Sequence, residues 1–321
     1  MMRVQMQRRA RLIAMAGCFA GAAGAQSTIE VLPAQGQVYL LAGPGGNTAV
    51  QIGDEAVVVV DTQTAAVGDD VLEAIEKLSA KPIRHIIVTS ADPDHTGGNE
   101  ALARAGTYVR LIDSFDPRGS DTNASIMAHV NVLAAMSAPT GEEEASAPPE
   151  AWPTDTYFAS DWALFVNGEA IQMLHVPAAH TDGDSLVFFR RSDVLSAGDI
   201  FNTDRYPSFD VVRGGSIAGI IEGLNLILDL AIPGENQEGG TVVIPGHGRL
   251  SDETDVANYR DMVTIVRDRV QALIDQGRTL EEVQAARPTR DYDGRYDVDS
   301  AGWSGAEFVA AIYQDLRAAR P

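Results

Sequence analysis

Residues 86–99 read Ile86-Ile87-Val88-Thr89-Ser90-Ala91-Asp92-Pro93-Asp94-His95-Thr96-Gly97-Gly98-Asn99. A β-branched apolar run stops in a short polar loop, and Thr96-Gly97-Gly98-Asn99 then opens a helical pattern. Asp94 and His95 are thereby placed at the C-terminal end of a strand. In open α/β sheets that is the edge where chemistry is sited.

Upstream, 37–41, 48–52 and 56–60 are strand-like runs between Gly-rich turns, a meander whose last strand ends at Asp61-Thr62. Apolar spacing over 71–78 predicts a helix leading through Lys81-Pro82 into a strand over 83–89. Downstream the pattern predicts a helix over 100–105, a strand over 108–112 and a helix over 121–136. A Pro-, Glu-, Ala- and Ser-rich stretch over 137–153 follows and reads as a solvated loop. Short strands resume at 163–166, 170–175, 185–189 and 194–197. Residues 215–230 are then helical, 241–244 a buried strand, 256–276 a long amphipathic helix and 305–316 a last helix. Both halves share a strands-then-helix plan, which two sheets packed face to face with helices outside would satisfy.

The first 25 residues carry Arg3, Arg8, Arg9 and Arg11, then an apolar run over 12–23 ending in Ala23-Gly24-Ala25. This pattern predicts a cleaved export signal over 1–25 and a periplasmic or secreted product. A twin-arginine variant at 7–12 and a lipoprotein site at Cys18 are weaker alternatives to simple cleavage after Ala25. Removing these residues, which hold four arginines and no acid, takes the formal charge from −21 to −25. Such a surface repels nucleic acid and anionic lipid. No later apolar run approaches the ~20 residues needed to span a bilayer, so a soluble product without stable membrane association is expected. Cys18 is the only cysteine. The mature chain is therefore expected to have neither a disulfide nor a thiolate ligand, and any metal must be held by His, Asp or Glu.

Four loops after strand-like runs contain His, Asp or both: Asp92-Pro93-Asp94-His95, His180-Thr181-Asp182-Gly183-Asp184, Gly198-Asp199 and Pro245-Gly246-His247-Gly248. Neutral imidazoles and carboxylates are what a borderline divalent metal accepts when thiolates are absent. Taken singly, each residue has an ordinary alternative. Asp94 could cap a helix starting near Gly97, Asp199 could be a turn residue, and His180 and His247 could be loop imidazoles bonded to backbone. His85 and His175 fall in strand runs and His129 in a helix, and these three read as structural. Asp61 is either a strand-end turn residue or an acceptor that orients the key loop.

Over nearly its whole mature length the chain resembles the metallo-β-lactamase fold hydrolases. Their first signature, T-H-x-H-x-D-H-x-G-G, aligns with Thr89-Ser90-Ala91-Asp92-Pro93-Asp94-His95-Thr96-Gly97-Gly98, and later signatures match His180, Asp199 and His247. The resemblance implies an αββα sandwich, expected to be one domain over 26–321. It further implies a complete second metal site made of Asp94, His95, Asp199 and His247. The first site keeps only His180, because Ser90 and Asp92 stand where imidazoles belong. Asp92 can still offer a carboxylate, whereas neutral Ser90 is a poor ligand.

The expectation is therefore one tightly bound ion, zinc by family, at the complete site, with the other site, which keeps only His180, weakened. A metal there acts as a Lewis acid and lowers the pKa of bound water toward ~7, with Asp94 both ligating and orienting the water. The implied activity is hydrolysis of an acyl bond in a small-molecule substrate, with lactam, lactone and ester as candidates. The competing expectation is a degenerate fold that binds a small molecule or partner without turnover. Tyr206, Pro207 and Phe209 follow Asp199 closely and either line the pocket or pack on the core.

Overall fold

All four residues of Val57–Val60 are buried, as are Ile86 and Ile87. The cause is a central place in a sheet covered on both faces. In a computed structural model, which describes residues 29–107, 123–140, 144–297 and 303–318, the chain begins with β1 (Glu30–Gln35), β2 (Val38–Gly43), β3 (Gly46–Ile52), β4 (Val57–Val60) and α1 (Gly68–Leu78). It continues with β5 (Ile83–Ile87), α2 (Pro93–Thr96), α3 (Asn99–Ala105), β6 (Ser125–His129) and α4 (Val130–Ser137). A small hairpin, β7 (Pro139–Thr140) and β8 (Glu144–Ala145), precedes β9 (Asp155–Tyr157). The second half holds β10 (Asp161–Val166), β11 (Glu169–His175), β12 (Ser185–Phe189), β13 (Val194–Ser196), α5 (Ile217–Leu230) and β14 (Val242–Ile244). It closes with α6 (Glu253–Asp275), α7 (Leu280–Ala285), α8 (Asp293–Tyr296) and α9 (Gly305–Ala318).

Strands β1 to β4 form an antiparallel meander, and β5, β6 and β9 extend it in parallel, giving one sheet in the order β1-β2-β3-β4-β5-β6-β9. The second sheet runs β10-β11-β12-β13-β14, antiparallel except for the parallel pair β13 and β14. Alternation of side chains builds the layers. In β4, Val57 and Val59 face a cluster with Val71, Ile75 and Leu102 of α1 and α3, while Val58 and Val60 face the other sheet. In β12, Val187 and Phe189 meet the first sheet, and Leu186 and Phe188 meet Ile220 and Leu224 of α5 and Val263 of α6. The expected αββα order is therefore present: helices, sheet, sheet, helices.

Two local expectations are corrected. Residues 125–129, expected in a helix over 121–136, are strand β6, because their backbone pairs on both edges with β5 and β9. Partner strands outweigh the helix preference of Met127 and Ala128. The helix begins only at Val130, which places His129 at a strand end. The stretch 137–153 is not simply a solvated loop: it carries the β7–β8 hairpin, and Ala151 is buried beside α3, accepting a 3.0 Å hydrogen bond from Asn99 Nδ2. The expected strand over 108–112 and the export signal over 1–25 lie outside the described residues. Among the described residues no helix is long and apolar enough to cross a membrane.

The topology explains where the four loops meet. β4 and β5 are parallel, so Asp61 and the 92–95 loop leave the first sheet at one edge. β11, β13 and β14 share a direction in the second sheet, so the loops carrying His180, Asp199 and His247 leave it by their C-terminal ends.

Candidate metal centre

Pro93 at the first position of α2 fixes the turn after Asp92, and Gly97-Gly98 let the chain pack against Thr62, Thr64 and Ala65. A Cβ on Gly98 would stand 2.5 Å from Thr62 O. The turn sets Asp94 and His95 facing the second sheet. Asp94 is not a helix cap: the residue before α3 is Gly98, and no side-chain cap bond is made there. Asp199 sits in a 3-10 turn, Gly198–Ile200, entered through Gly198 at φ +50°.

Four side chains converge. His247 Nε2 lies 3.0 Å from Asp94 Oδ2 and 3.5 Å from Asp199 Oδ1, and His95 Nε2 lies 3.2 Å from Asp199 Oδ2. Their ligand atoms all fall within 4.8 Å of one another. Bonds of ~2.0–2.1 Å to a tetrahedral zinc put neighbouring ligand atoms about 3.3 Å apart, so the observed edges suit an ion at the centre. The tautomer of His95 adds a second fit. Asp61 accepts from Thr89 N at 2.8 Å and Thr89 Oγ1 at 2.6 Å, and lies 2.8 Å from His95 Nδ1, which therefore carries a proton. The buried Nε2 faces Asp199 Oδ2 at 3.2 Å. A lone pair and a carboxylate oxygen at 3.2 Å require a cation between them, either a proton on Nε2 or a metal.

Without a metal the charges settle each other. Burial works against a charged His95, but Asp61 and Asp199 outweigh it and hold the imidazole well above its usual pKa. Burial likewise raises Asp199, yet His95, His247 and His180 keep it well below the ordinary carboxylate range. Asp94 is lowered in spite of burial, chiefly by its hydrogen bond to His247. With a side chain 31% exposed against 8% for Asp199, Asp94 is the carboxylate open to an incoming molecule.

A second group adjoins the first. His180 Nε2 is 3.2 Å from Asp92 Oδ2, and Asp92, His180 and Asp199 together form a potential ligand set. Ser90 is not part of it: its buried Oγ accepts a 3.3 Å hydrogen bond from Asp92 N and so shapes the turn. The His180 loop is tied by Asp184, which accepts from Thr181 N at 2.6 Å and Thr181 Oγ1 at 3.1 Å. Burial lowers the His180 pKa, but Asp184, Asp199 and Asp92 raise it to about 9.

Several neighbours escape a reading of the sequence. Asn202 Oδ1 accepts from His247 N at 2.8 Å, and Asn47 Nδ2 donates to Pro245 O at 2.9 Å and Gly248 O at 3.0 Å, fixing the last loop from both sides. Arg213 Nη1 lies 2.5 Å from Asp92 Oδ1. Tyr206 and Phe209 are buried in the core. Tyr206 stacks on Phe308 and donates to Asp293 Oδ1 at 3.0 Å, and Phe209 joins the same cluster. His129 and His175 stack at 3.6 Å between ring centroids, and His85 Nδ1 is 2.9 Å from Ser125 Oγ; all three stand apart from both ligand groups.

Comparison with solved structures returns the same architecture. A stereoselective inverting sec-alkylsulfatase, Pisa1 from Pseudomonas sp., is similar with a TM-score of 0.60 and 18% identity, over 89% of this chain and 50% of that one. This chain thus spans half the sulfatase's length. A metallo-beta-lactamase from Pontibacter korlensis gives a TM-score of 0.53 at 15% identity, over 74% of this chain and 99% of that one. The DIM-1 metallo-beta-lactamase gives 0.51 at 17%, over 74% and 97%. At these identities the likeness is one of fold. No curated protein matches the sequence significantly. The family model of the metallo-beta-lactamase superfamily matches residues 42–247, a span that runs from β2 to the His247 loop and takes in every converging side chain. On that match, with the sandwich and the converging loops in agreement, the chain belongs to the metallo-beta-lactamase superfamily.

Proposed function

We propose that the protein is an exported, zinc-dependent hydrolase holding one ion on Asp94, His95, Asp199 and His247. One observation carries this reading: four side chains from three separate loops meet at one sheet edge with spacings that suit a tetrahedral ion, the inward Nε2 of His95 lying 3.2 Å from Asp199 Oδ2. Such an ion supplies Lewis acidity and a water of lowered pKa. Asp61 holds the proton on His95 Nδ1, so Nε2 is free to ligate. Asp94, the more accessible carboxylate of the set, uses its second oxygen to orient the attacking water and accept its proton. Asn202 and Asn47 keep His247 at its station, and exposed Val211 and Val212 border the loop that carries Arg213.

The substrate class is a hydrolysable ester or lactam: carboxyl ester, lactone and lactam from the chemistry of the site, with sulfate ester added because the sulfatase shares the architecture. Residues 1–25 act as the export signal and place the mature chain in the periplasm or outside the cell. Initial rates on a panel of lactams, lactones, carboxyl esters and alkyl sulfates test the reading. Turnover of at least one class should vanish in chelator and return with zinc. A metal-loaded protein inert toward the whole panel would instead favour a binding role without turnover.

A further inference from the structure

The Asp92, His180 and Asp199 group has the geometry of a second metal site, yet one of its ligands already has a cation. Arg213 Nη1 sits 2.5 Å from Asp92 Oδ1, and Arg213 Nε donates at 2.8 Å to Asp210 Oδ2. This guanidinium is fixed in place. Asp210 Oδ1 accepts from Val212 N at 2.9 Å, Asp210 N donates to His180 O at 2.8 Å, and Asp182 N donates to Arg213 O at 2.8 Å, so the Arg213 loop is stitched to the His180 loop on both strands of its turn. Asp92 is thereby held between an arginine on one oxygen and His180 Nε2, at 3.2 Å, on the other.

We propose that Arg213 is a tethered cation that takes the place of a second metal, neutralising Asp92 and closing the Asp92, His180 and Asp199 group to a divalent ion. Arg213 is a positioning residue here, acting on the centre through Asp92. An arginine cannot shed its charge at any working pH, and a divalent ion within a few ångströms of it meets charge repulsion. A missing imidazole at position 90 leaves the group with few strong ligands, but the arginine adds an active barrier. It converts a poor site into one reserved for a side chain. The inference rests on the metal reading above, although its test counts bound ions and does not use turnover.

Zinc titrations by calorimetry, with elemental analysis after dialysis, should give one ion per wild-type chain. Arg213→Met, which keeps bulk and removes charge, should bind a second ion at least about tenfold more tightly than any second event in the wild type. Arg213→Gln should do the same with a polar tip, and guards against a packing defect in the first variant. Arg213→Lys keeps the charge and should stay at one. Arg213→Met combined with Asp92→Asn should lose the gained ion, which locates it. Arg249→Met removes an exposed arginine paired with Asp255 and should change nothing. Thermal unfolding of each variant verifies folding. Two firmly held ions in the wild type, or a single ion in both folded charge-free variants, would overturn the proposal. A wild-type chain that binds no zinc would sink the metal reading itself; even then, an ion gained only by the charge-free variants upholds the role of Arg213, and none gained refutes it.

Discussion

At the scale of single residues, the proposed centre separates groups that would ligate a metal from groups that hold them in place. Asp61 stands at φ +60°, a conformation costly for a residue with a Cβ, and from there receives both Thr89 donors and His95 Nδ1. Strain at a strand end that feeds three hydrogen bonds marks a positioning role. Asp61→Ala should therefore weaken zinc binding about 10- to 100-fold with the four ligands intact, measured by competition with a chromogenic chelator; unchanged affinity would reduce Asp61 to a turn residue. Asp199→Ala and His247→Ala should remove most metal affinity, whereas His129→Ala, at a stacked pair outside both groups, should leave it unaltered. Equal retention in all three would mean that the ligands are misassigned. Restoring imidazoles by Ser90→His and Asp92→His has a further consequence once Arg213 is considered. The change rebuilds ligands but strips Arg213 of its Asp92 partner, so the stoichiometry should rise toward two only when Arg213→Met is added. Elemental analysis of the double and triple variants decides this.

Among elements, what the sequence discloses tracks how local the cause is. The run 86–99 is legible because a β-branched strand, a Pro at a helix start and a Gly pair each act within a few residues, and β5, α2 and α3 follow that order. The strands β2 to β5 and β10 to β14 and the long helices fall close to their apolar periods for the same reason. β6 was hidden, since Ser125-Ile126-Met127-Ala128-His129 suits a helix and becomes a strand only through partners at 85–87 and 155–157. β1 and β9 lie at sheet edges and lack a clear alternation. Arg213 lies 121 positions from Asp92 in an irregular loop, and nothing local relates them. The Gly pair also gives an element-scale test. Gly98→Ala would set its Cβ 2.5 Å from Thr62 O and 3.1 Å from Thr62 Cβ, forcing α2 and α3 away from the end of β4. It should destabilise by about 1–3 kcal/mol, the usual range for overpacking, and loosen metal binding along with stability. Phe189→Ala, in the layer between the sheets, should cost about 3–5 kcal/mol while sparing metal affinity per folded molecule. Urea unfolding read beside metal titration separates the two; a Gly98→Ala protein with native affinity would mean that the loop holds its shape without the helix contact.

For the whole molecule, stability against pH is set by histidines that the fold treats in opposite ways. Burial, helped by nearby Arg84, lowers His85 to about 4, and burial together with stacked His175 lowers His129 to about 4. An unfolded histidine titrates near ~6.5, so between that value and about 4 the unfolded chain takes up protons that the folded chain refuses. Stability must then fall as the pH drops through this window. His180 runs the other way in a different range. Raised to about 9 in the metal-free protein, it contributes stability that is complete below ~6.5 and is lost as the pH climbs through about 9, so it adds no slope on the acid side. Asp94 and Asp199, lowered by their imidazole neighbours, give up their contribution only below the ordinary carboxylate range. Acid weakening between pH 6.5 and 5 therefore belongs to His85 and His129. One such histidine accounts for up to about 2 kcal/mol at pH 5. Metal-free protein unfolded in urea at pH 6.5 and 5.0 should lose stability over this interval. His85→Gln, which cannot titrate and still offers Ser125 a polar partner, should lose less by up to about 1.6 kcal/mol, since part of the effect is already present at pH 6.5. Parallel losses in the two proteins would show that His85 takes up its proton in the folded state as readily as in the unfolded one.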